Sequence, residues 1–487
     1  MKRFLKITGV LFLLLCIILS VAALLNLQDR HPEYENNLTV LNDSSSGLKA
    51  GFAALPITPK ESLWMAGFGN NRPAEGIHDD TWSRVMVIDD SNSRLAIVAL
   101  DVIGFMHDDV VDVRKMLAVE LGLTYTIIAA THTHEGPDLM GLWGKTPFRS
   151  GVNEEYMKFV KKQIVKSIEL AVTNLRPARL EISMDLTGAI PQVKDTRMPK
   201  VFDSGLRFIR ATDKENDTTL GCVLSWGNHP ETLWSGNRLV SSDFPHFFRE
   251  GVEKGVFSGD SLVKSGIGGT ALFLNGAIGG LMTTHPSHPI SDPFTGKDIL
   301  EPSFEKVAAQ GNSLSILALN AMDQPSDIIE EGAISLVTRT LYLPIKNRLF
   351  QLAAALGVLH RGTAGWMQLR TEISAVTLGP ISIVTIPGEI YPEIINGGVE
   401  APHGNDFDIA PMEVPAVREK MPGKYKFVIA LANDEIGYII PKSQWDTKAP
   451  YTYGREKAPY GEINSLGPDT APVIYHHLLE ILEELGR

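Results

Sequence analysis

Cysteine is almost absent: the 487 residues hold two, Cys16 and Cys222. Cys16 lies in an apolar N-terminal run, so the body of the chain has no disulfide framework and no cysteine metal cluster. A basic excess is missing too. With 45 Lys and Arg against 57 Asp and Glu the formal net charge is -12, which excludes a nucleic-acid binder, whose surface must be positive. No Gly-x-Ser-x-Gly elbow of the α/β-hydrolase kind occurs. Gly144-Lys145-Thr146 lacks the glycine that a phosphate loop needs at position 139, where Leu139 stands. There is no internal repeat and no late linker, and a 44% hydrophobic fraction is that of an ordinary globular protein.

The N-terminus carries the one long apolar run. Lys2, Arg3 and Lys6 precede Ile7 to Leu25, a stretch about long enough at ~1.5 Å per residue to cross a bilayer. Ser20-Val21-Ala22 places small residues where a signal peptidase reads them. Residues 1–27 are therefore expected to be a signal peptide or an uncleaved membrane anchor, with the positive flank left inside and the bulk exported. Residues 28–47 are polar, end in three serines and a glycine, and read as a tether. Residues 48–487 read as a single large domain.

Within that domain, the β-forming stretches Arg84 to Asp90 and Arg94 to Leu100 bracket the turn signal Asp90-Ser91-Asn92-Ser93 and predict a hairpin. Apolar residues at 110, 113, 117 and 121 predict a helix over 108–121. Asn153 predicts the cap of another helix, in which Tyr156, Val160, Ile164 and Ile168 recur every fourth residue. Strands are expected at 179–184, 206–211, 220–226, 271–274, 332–343, 376–386 and 426–431, and helices at 247–252, 303–320 and 472–485. The mixture predicts an α/β fold of mixed β-sheets flanked by helices.

Chemistry-bearing residues gather where those strands end. Tyr125 to Ala130 runs into Thr131-His132-Thr133-His134-Glu135-Gly136-Pro137. Alternation along a strand puts positions i and i+2 on one face, so both imidazoles are expected to look into one cleft beyond the carboxyl edge, where open α/β sheets bind ligands. Two histidines capping a strand and bonding locally is the plain alternative, and partners elsewhere must decide. His229 follows the strand ending at Trp226, and Glu389 follows the one ending at Ile386. Neutral imidazole and carboxylate are common ligands of zinc.

The ordered set Gly76-Ile77-His78-Asp79, Thr131-His132-Thr133-His134-x-Gly136-Pro137, His229, Pro387-Gly388-Glu389 and Ala432-Asn433-x-x-x-Gly437-Tyr438 resembles the neutral (alkaline, non-lysosomal) ceramidase family, over essentially all of the chain after the tether. The resemblance implies a ceramidase-like catalytic domain with Zn2+ held by His132, His229, Glu389 and Tyr438. It implies that His134, Arg197 and Tyr460 stand behind them, polarising an amide carbonyl and aiding proton transfer. The implied activity is hydrolysis of an N-acyl, ceramide-like substrate by metal-activated water, with the membrane as partner through the N-terminal segment or the substrate. A set of two imidazoles, a carboxylate and a phenolate is not unique to zinc.

Two departures separate the chain from the family pattern. The family's Gly-Asp-Val-Ser-Pro-Asn segment aligns with Gly279-Gly280-Leu281-Met282-Thr283-Thr284. Met282 then stands where the family has a serine important for activity, Gly280 replaces its carboxylate, and Thr283 is the adjacent hydroxyl. The segment after Tyr438 is also too short for the family's C-terminal immunoglobulin-like domain. Two further readings therefore stay open: a hydrolase of another envelope amide or ester with the same metal site, and a non-catalytic binding protein on the same fold.

Overall fold

The central strands are buried at nearly every position, and each set of alternate side chains meets a different layer. In chain order the first elements are α1 (Lys2–Asn26), β1 (Thr39–Val40), β2 (Lys49–Pro56), β3 (Trp82–Asp89), β4 (Arg94–Leu100), α2 (His107–Met116), β5 (Tyr125–Ala130) and α3 (Glu154–Thr173). There follow β6 (Arg176–Asp185), β7 (Leu206–Asp213), β8 (Thr219–Trp226), α4 (Phe244–Lys254), β9 (Thr270–Asn275) and α5 (Phe304–Met322). The last third holds β10 (Ile334–Pro344), α6 (Arg348–Ala355), β11 (Gln368–Leu378), β12 (Ile381–Thr385), β13 (Glu389–Ile390), β14 (Tyr425–Ile429), β15 (Tyr438–Ile439) and α7 (Thr470–Leu485). The structure is a computed structural model and describes residues 2–45, 47–203, 205–281, 287–324 and 327–486.

Among the described residues two large sheets form. One runs β9-β8-β7-β6-β2-β3-β4-β5, with Asp327–Ile329 paired to β6; the other runs β1-β10-β11-β12-β14. They face each other. Met86, Ile97 and Val223 of the first pack with Leu336, Val376 and Ile383 of the second in one core. The alternate residues turn outward: Val85, Val87 and Val98 against Val160, Ile164 and Ile168 of α3, and Leu224 and Phe273 against Phe248 of α4 and Leu314 of α5. On the far side Val337, Ala375 and Val384 meet Ile474, Leu478 and Ile481 of α7. The result is four layers, helix–sheet–sheet–helix. Because each fully buried aliphatic side chain stabilises by about 1.5–3 kcal/mol, a one-residue slip in a central strand, which would exchange the side chains packed in its two layers, is opposed by the packing on both faces.

The α/β architecture of mixed sheets flanked by helices is the expected one, and so is the hairpin, in which β3 pairs antiparallel with β4. Asn153 caps α3 through its side chain, accepting from Tyr156 N at 3.0 Å. Three details differ. The helix expected over 108–121 ends at Met116, because Leu117 turns extended (φ -71°, ψ 131°); a short 3-10 turn, Val119–Leu121, then closes on Gly122 at φ +61°. The expected 376–386 strand is the end of β11 and the whole of β12, folded back at Gly379 (φ +53°). α6 was not legible at all.

Residues 28–47, read as a tether from their polarity, lie against the domain. Thr39–Val40 pairs with β10, Asp29 accepts from Arg370 at 2.5 Å, and the Asn36 amide donates to Glu372 at 3.1 Å. Their partners are polar groups on β10 and β11, so polarity gives no sign of docking. α1 leads into this segment with Phe12, Leu24 and Leu25 exposed. Among the described residues no helix is long and apolar enough to cross a membrane.

Candidate functional site

The carboxyl ends of β5 and β8 in one sheet, and of β12 and β14 in the other, converge. Two asparagines lock them. Asn275, at the end of β9, donates its amide to Thr131 O at 2.6 Å, accepts from Asn228 N at 3.1 Å, and gives its own carbonyl to Ala430 N at 2.9 Å. Asn433 pairs with Ile128 of β5 in both directions, its side-chain oxygen accepting at 2.8 Å and its N–H donating at 2.7 Å. The two sheets are thereby joined edge to edge where the histidines emerge.

β5 stops at Ala130, and His132 sits beyond it with φ +70°, a left-handed backbone that costs roughly 1–3 kcal/mol for such a residue. Strand alternation is thus not what aligns His132 and His134. The turn does it, held by His132 N donating to Val102 O at 3.0 Å and His134 N to Pro230 O at 3.0 Å. The two rings lie edge to face, 5.0 Å apart, and His229 joins them at 4.8 Å from His132 and 5.8 Å from His134. All three are buried, and their ring nitrogens lie close enough to hold one metal ion.

Backbone carbonyls orient two of the rings. His132 Nδ1–H donates to Ile103 O at 2.6 Å and His229 Nδ1–H to Leu281 O at 2.7 Å, so both Nε2 atoms turn inward. They meet one carboxylate oxygen, Glu389 Oε2, at 3.7 Å and 2.8 Å. Tyr438 Oη lies 3.4 Å from His229 Nε2. Glu389 and Tyr438 are register partners in the short parallel pair β13–β15, so one strand pairing delivers both.

Burial pushes the His132 imidazole down to about 4, against the pull of Glu389. His134 falls well below the usual histidine range through burial and its two imidazole neighbours. Both are neutral at pH 7, the form that ligates metals. For His229 the hydrogen bond and charge of Glu389 outweigh burial and raise it, while the imidazoles hold Glu389 below the usual carboxylate range against burial. Tyr438 is held as a phenol by burial and by Glu389; a cation beside it would reverse that balance. Imidazole nitrogens oriented by carbonyls and converging on one carboxylate fit a divalent metal. Both ring nitrogens of His134 also lack a hydrogen-bond partner among the described residues, with Glu231 3.5 Å from its Nδ1.

His132, His134, Glu389 and Tyr438 of the cluster line a cleft. Its walls are mainly apolar, from Met106, Met140, Trp143, Phe350, Leu369 and Leu466. Tyr460 stands on the wall, 59% exposed, its ring 6.0 Å from that of Tyr438.

Arg197 does not line the cleft. Its guanidinium donates to both oxygens of Glu462 at 2.7 Å and to Gln444 O at 2.7 Å, and lies 5.1 Å from the Tyr391 ring centre. Glu462 belongs to the helical turn Tyr460–Ile463, so Arg197 fixes the turn that presents Tyr460. Met282 and Thr283 lie outside the described residues.

Two carboxylates escaped the sequence reading. Glu231 comes two residues after His229, the same spacing signal as His132 and His134. Burial, against the pull of His229, pushes it up to about 7. Glu435, on the cleft wall, is raised well above its ordinary value by burial and then by Glu389. Nothing in its Asp434-Glu435-Ile436 context marks it.

A buried histidine–carboxylate cluster competent to hold a metal ion thus lines a mainly apolar cleft in a helix–sheet–sheet–helix frame. Residues 50–247 match the family described as neutral/alkaline non-lysosomal ceramidase, N-terminal. The neutral ceramidase of Mycobacterium tuberculosis (strain ATCC 25618 / H37Rv) is 27% identical over 222 residues, 41% of this chain, and the match spans 34% of that relative's length. The fold resembles the crystal structure of neutral ceramidase from Pseudomonas aeruginosa, with a TM-score of 0.66 at 17% identity over 91% of this chain and 75% of that one. A ceramidase complexed with C2 gives 0.65 at 17% identity, covering 90% and 75%. Residues 50–247 are thus similar to the N-terminal part of that family, and the chain shares the fold of neutral ceramidase.

Proposed function

We propose that this chain is a zinc-dependent amide hydrolase of ceramidase type, acting on an N-acyl lipid. The observation that carries the reading is the convergence of His132, His229, Glu389 and Tyr438 beside a mainly apolar cleft. Those four residues would hold the ion, which when bound lowers the pKa of water and stabilises developing oxyanion charge. The chain's own part is to place the substrate. The apolar walls take an acyl chain and exclude water, which strengthens every polar contact at the cluster. His134, neutral and buried beside the ligands, is placed to exchange a proton with the reacting amide, with the Glu231 carboxylate 3.5 Å from its Nδ1. Tyr460 donates from the cleft wall, and Arg197 acts only by positioning it.

The exported, membrane-associated location rests on the character of residues 1–27. Elemental analysis tests the site: about one zinc per chain is expected, as for a single tetrahedral site, and loss of it in the His132→Ala, His229→Ala double variant. No metal in the purified chain, and none taken up from added zinc, would refute the mechanism. Met282 at the family's serine position favours one other reading, a metal-bound protein without turnover. A loaded chain that binds but does not cleave short-chain N-acyl amides would select it.

A further inference from the structure

Beyond the exposed Arg348 at its start, the outward face of α6 is apolar. Leu349 (64% exposed), Leu352 (50%) and Leu356 just past its end (42%) fall at i, i+3 and i+7, on one stripe. The inner side of the same helix is in use: Phe350 forms cleft wall, and Ala354 is buried with Ile103, Met106 and Met140. α6 is therefore the rim of the cleft. Asn347, its cap, donates to Ile463 O and Ser465 O at 2.9 Å. That ties the stripe to the segment holding Ile463, 51% exposed, between Tyr460 and Asn464 of the cleft wall.

α1 adjoins this rim through a built junction. Asn26 donates its amide to Ala355 O at 2.9 Å, Thr363 donates its hydroxyl to Leu27 O at 2.6 Å, and Leu27 packs with Ala353 and Ala354. Val10, Leu11, Phe12, Leu13 and Leu14 of α1 are exposed in succession, so the helix is apolar all round. A second protein copy would cover one side of such a helix and leave the other apolar sides in water, whereas the acyl boundary of a bilayer takes up apolar side chains from several sides. The stripe itself holds no charged residue and the chain is acidic, which favours acyl chains over anionic headgroups as the contact.

We propose that α6 and α1 together form a docking face for a lipid bilayer surface, with Leu349, Leu352 and Leu356 immersed at the acyl boundary and the cleft mouth opening onto the membrane. Docking stands apart from the chemistry; delivery of an N-acyl lipid from bilayer to cleft rests on the function proposed above.

The test uses the full chain reconstituted with phosphatidylcholine vesicles, in a Cys16→Ser background, since Cys222 is buried and does not label. An environment-sensitive fluorophore is attached at Leu352→Cys or at Val119→Cys. Val119 precedes β5 and so lies at the end of that strand opposite His132. Blue-shifted emission quenched by nitroxide lipid is expected at 352, and neither effect at 119. Water-like, unquenched emission at 352 overturns the proposal, whatever the chain hydrolyses. Burial of the 352 label without lipid, through self-association, overturns it in favour of a second copy. In the activity arm, Leu349→Glu with Leu352→Glu is expected to lower turnover of vesicle-borne N-acyl lipid about tenfold, because two charges replace apolar contact with the acyl boundary, and to leave a soluble short-chain amide within about twofold. Equal loss on both substrates places the leucines in the cleft's own stability and overturns the docking role.

Discussion

Gly67 shows how closely the site is packed around single atoms. It has φ +100°, and a Cβ there would lie 2.5 Å from the His134 ring. Gly67→Ala must therefore strain its own backbone and displace the imidazole. A loss of roughly 1–3 kcal/mol in stability is expected for such overpacking, with a fall in kcat well beyond what the melting shift explains. A variant that melts lower but keeps its kcat would show that His134 does not act in the reaction. His132 makes a complementary point: its left-handed backbone is held by hydrogen bonds that it donates to the carbonyls of Val102 and Ile103, just beyond β4, so the strain is met by the surrounding fold.

At the scale of elements, the joint between β5, β11 and α2 rests on one buried ion pair. Glu372 of β11 accepts from Arg114 of α2 at 2.6 and 2.8 Å and from Tyr125 of β5 at 2.7 Å. Tyr125 in turn accepts from Asn433 at 2.9 Å. Burial alone would raise Glu372, but Arg114 holds it down to about 2. A carboxylate with a depressed folded pKa contributes stability that is present above its unfolded value of ~4.3 and is lost as pH falls through the folded value. The melting temperature should therefore fall between about pH 4.5 and 2. In Glu372→Gln that slope should be shallower, and stability at pH 7 should be lower by about 3–5 kcal/mol, because Arg114 is left buried without its countercharge. Calorimetry across that range checks both; an unchanged acid slope would show the pair to be idle.

For the whole molecule, the candidate ligands come from both sheets, so a shared cation would clamp them together. Removing metal with a chelator is expected to lower the melting temperature of the native chain, since a ligand at ~100 times its Kd stabilises by about 2.7 kcal/mol. The His132→Ala, His229→Ala variant should not respond. A native chain that melts identically with and without chelator would mean that no ion bridges the sheets.

Much of this was legible in one dimension. Strand periodicity, the Asn153 cap and the α3 stripe follow from local rules, because an amphipathic element declares its buried face in its own spacing. The strand-end positions of His132, His229 and Glu389 were legible too. Other features depend on contacts made far along the chain. The polarity of residues 28–47 hid their docking on β10 and β11, and the short, alanine-rich α6 gave too brief a pattern to read. Glu231 and Glu435 acquire meaning only from what surrounds them, since a carboxylate's ionisation is set by burial and neighbouring charge. The sequence by itself determined which side chains terminate the strands; tertiary structure alone decided that four such ends, from two facing sheets, meet at one point, because only sheet packing and the Asn275 and Asn433 bonds bring those distant segments within reach.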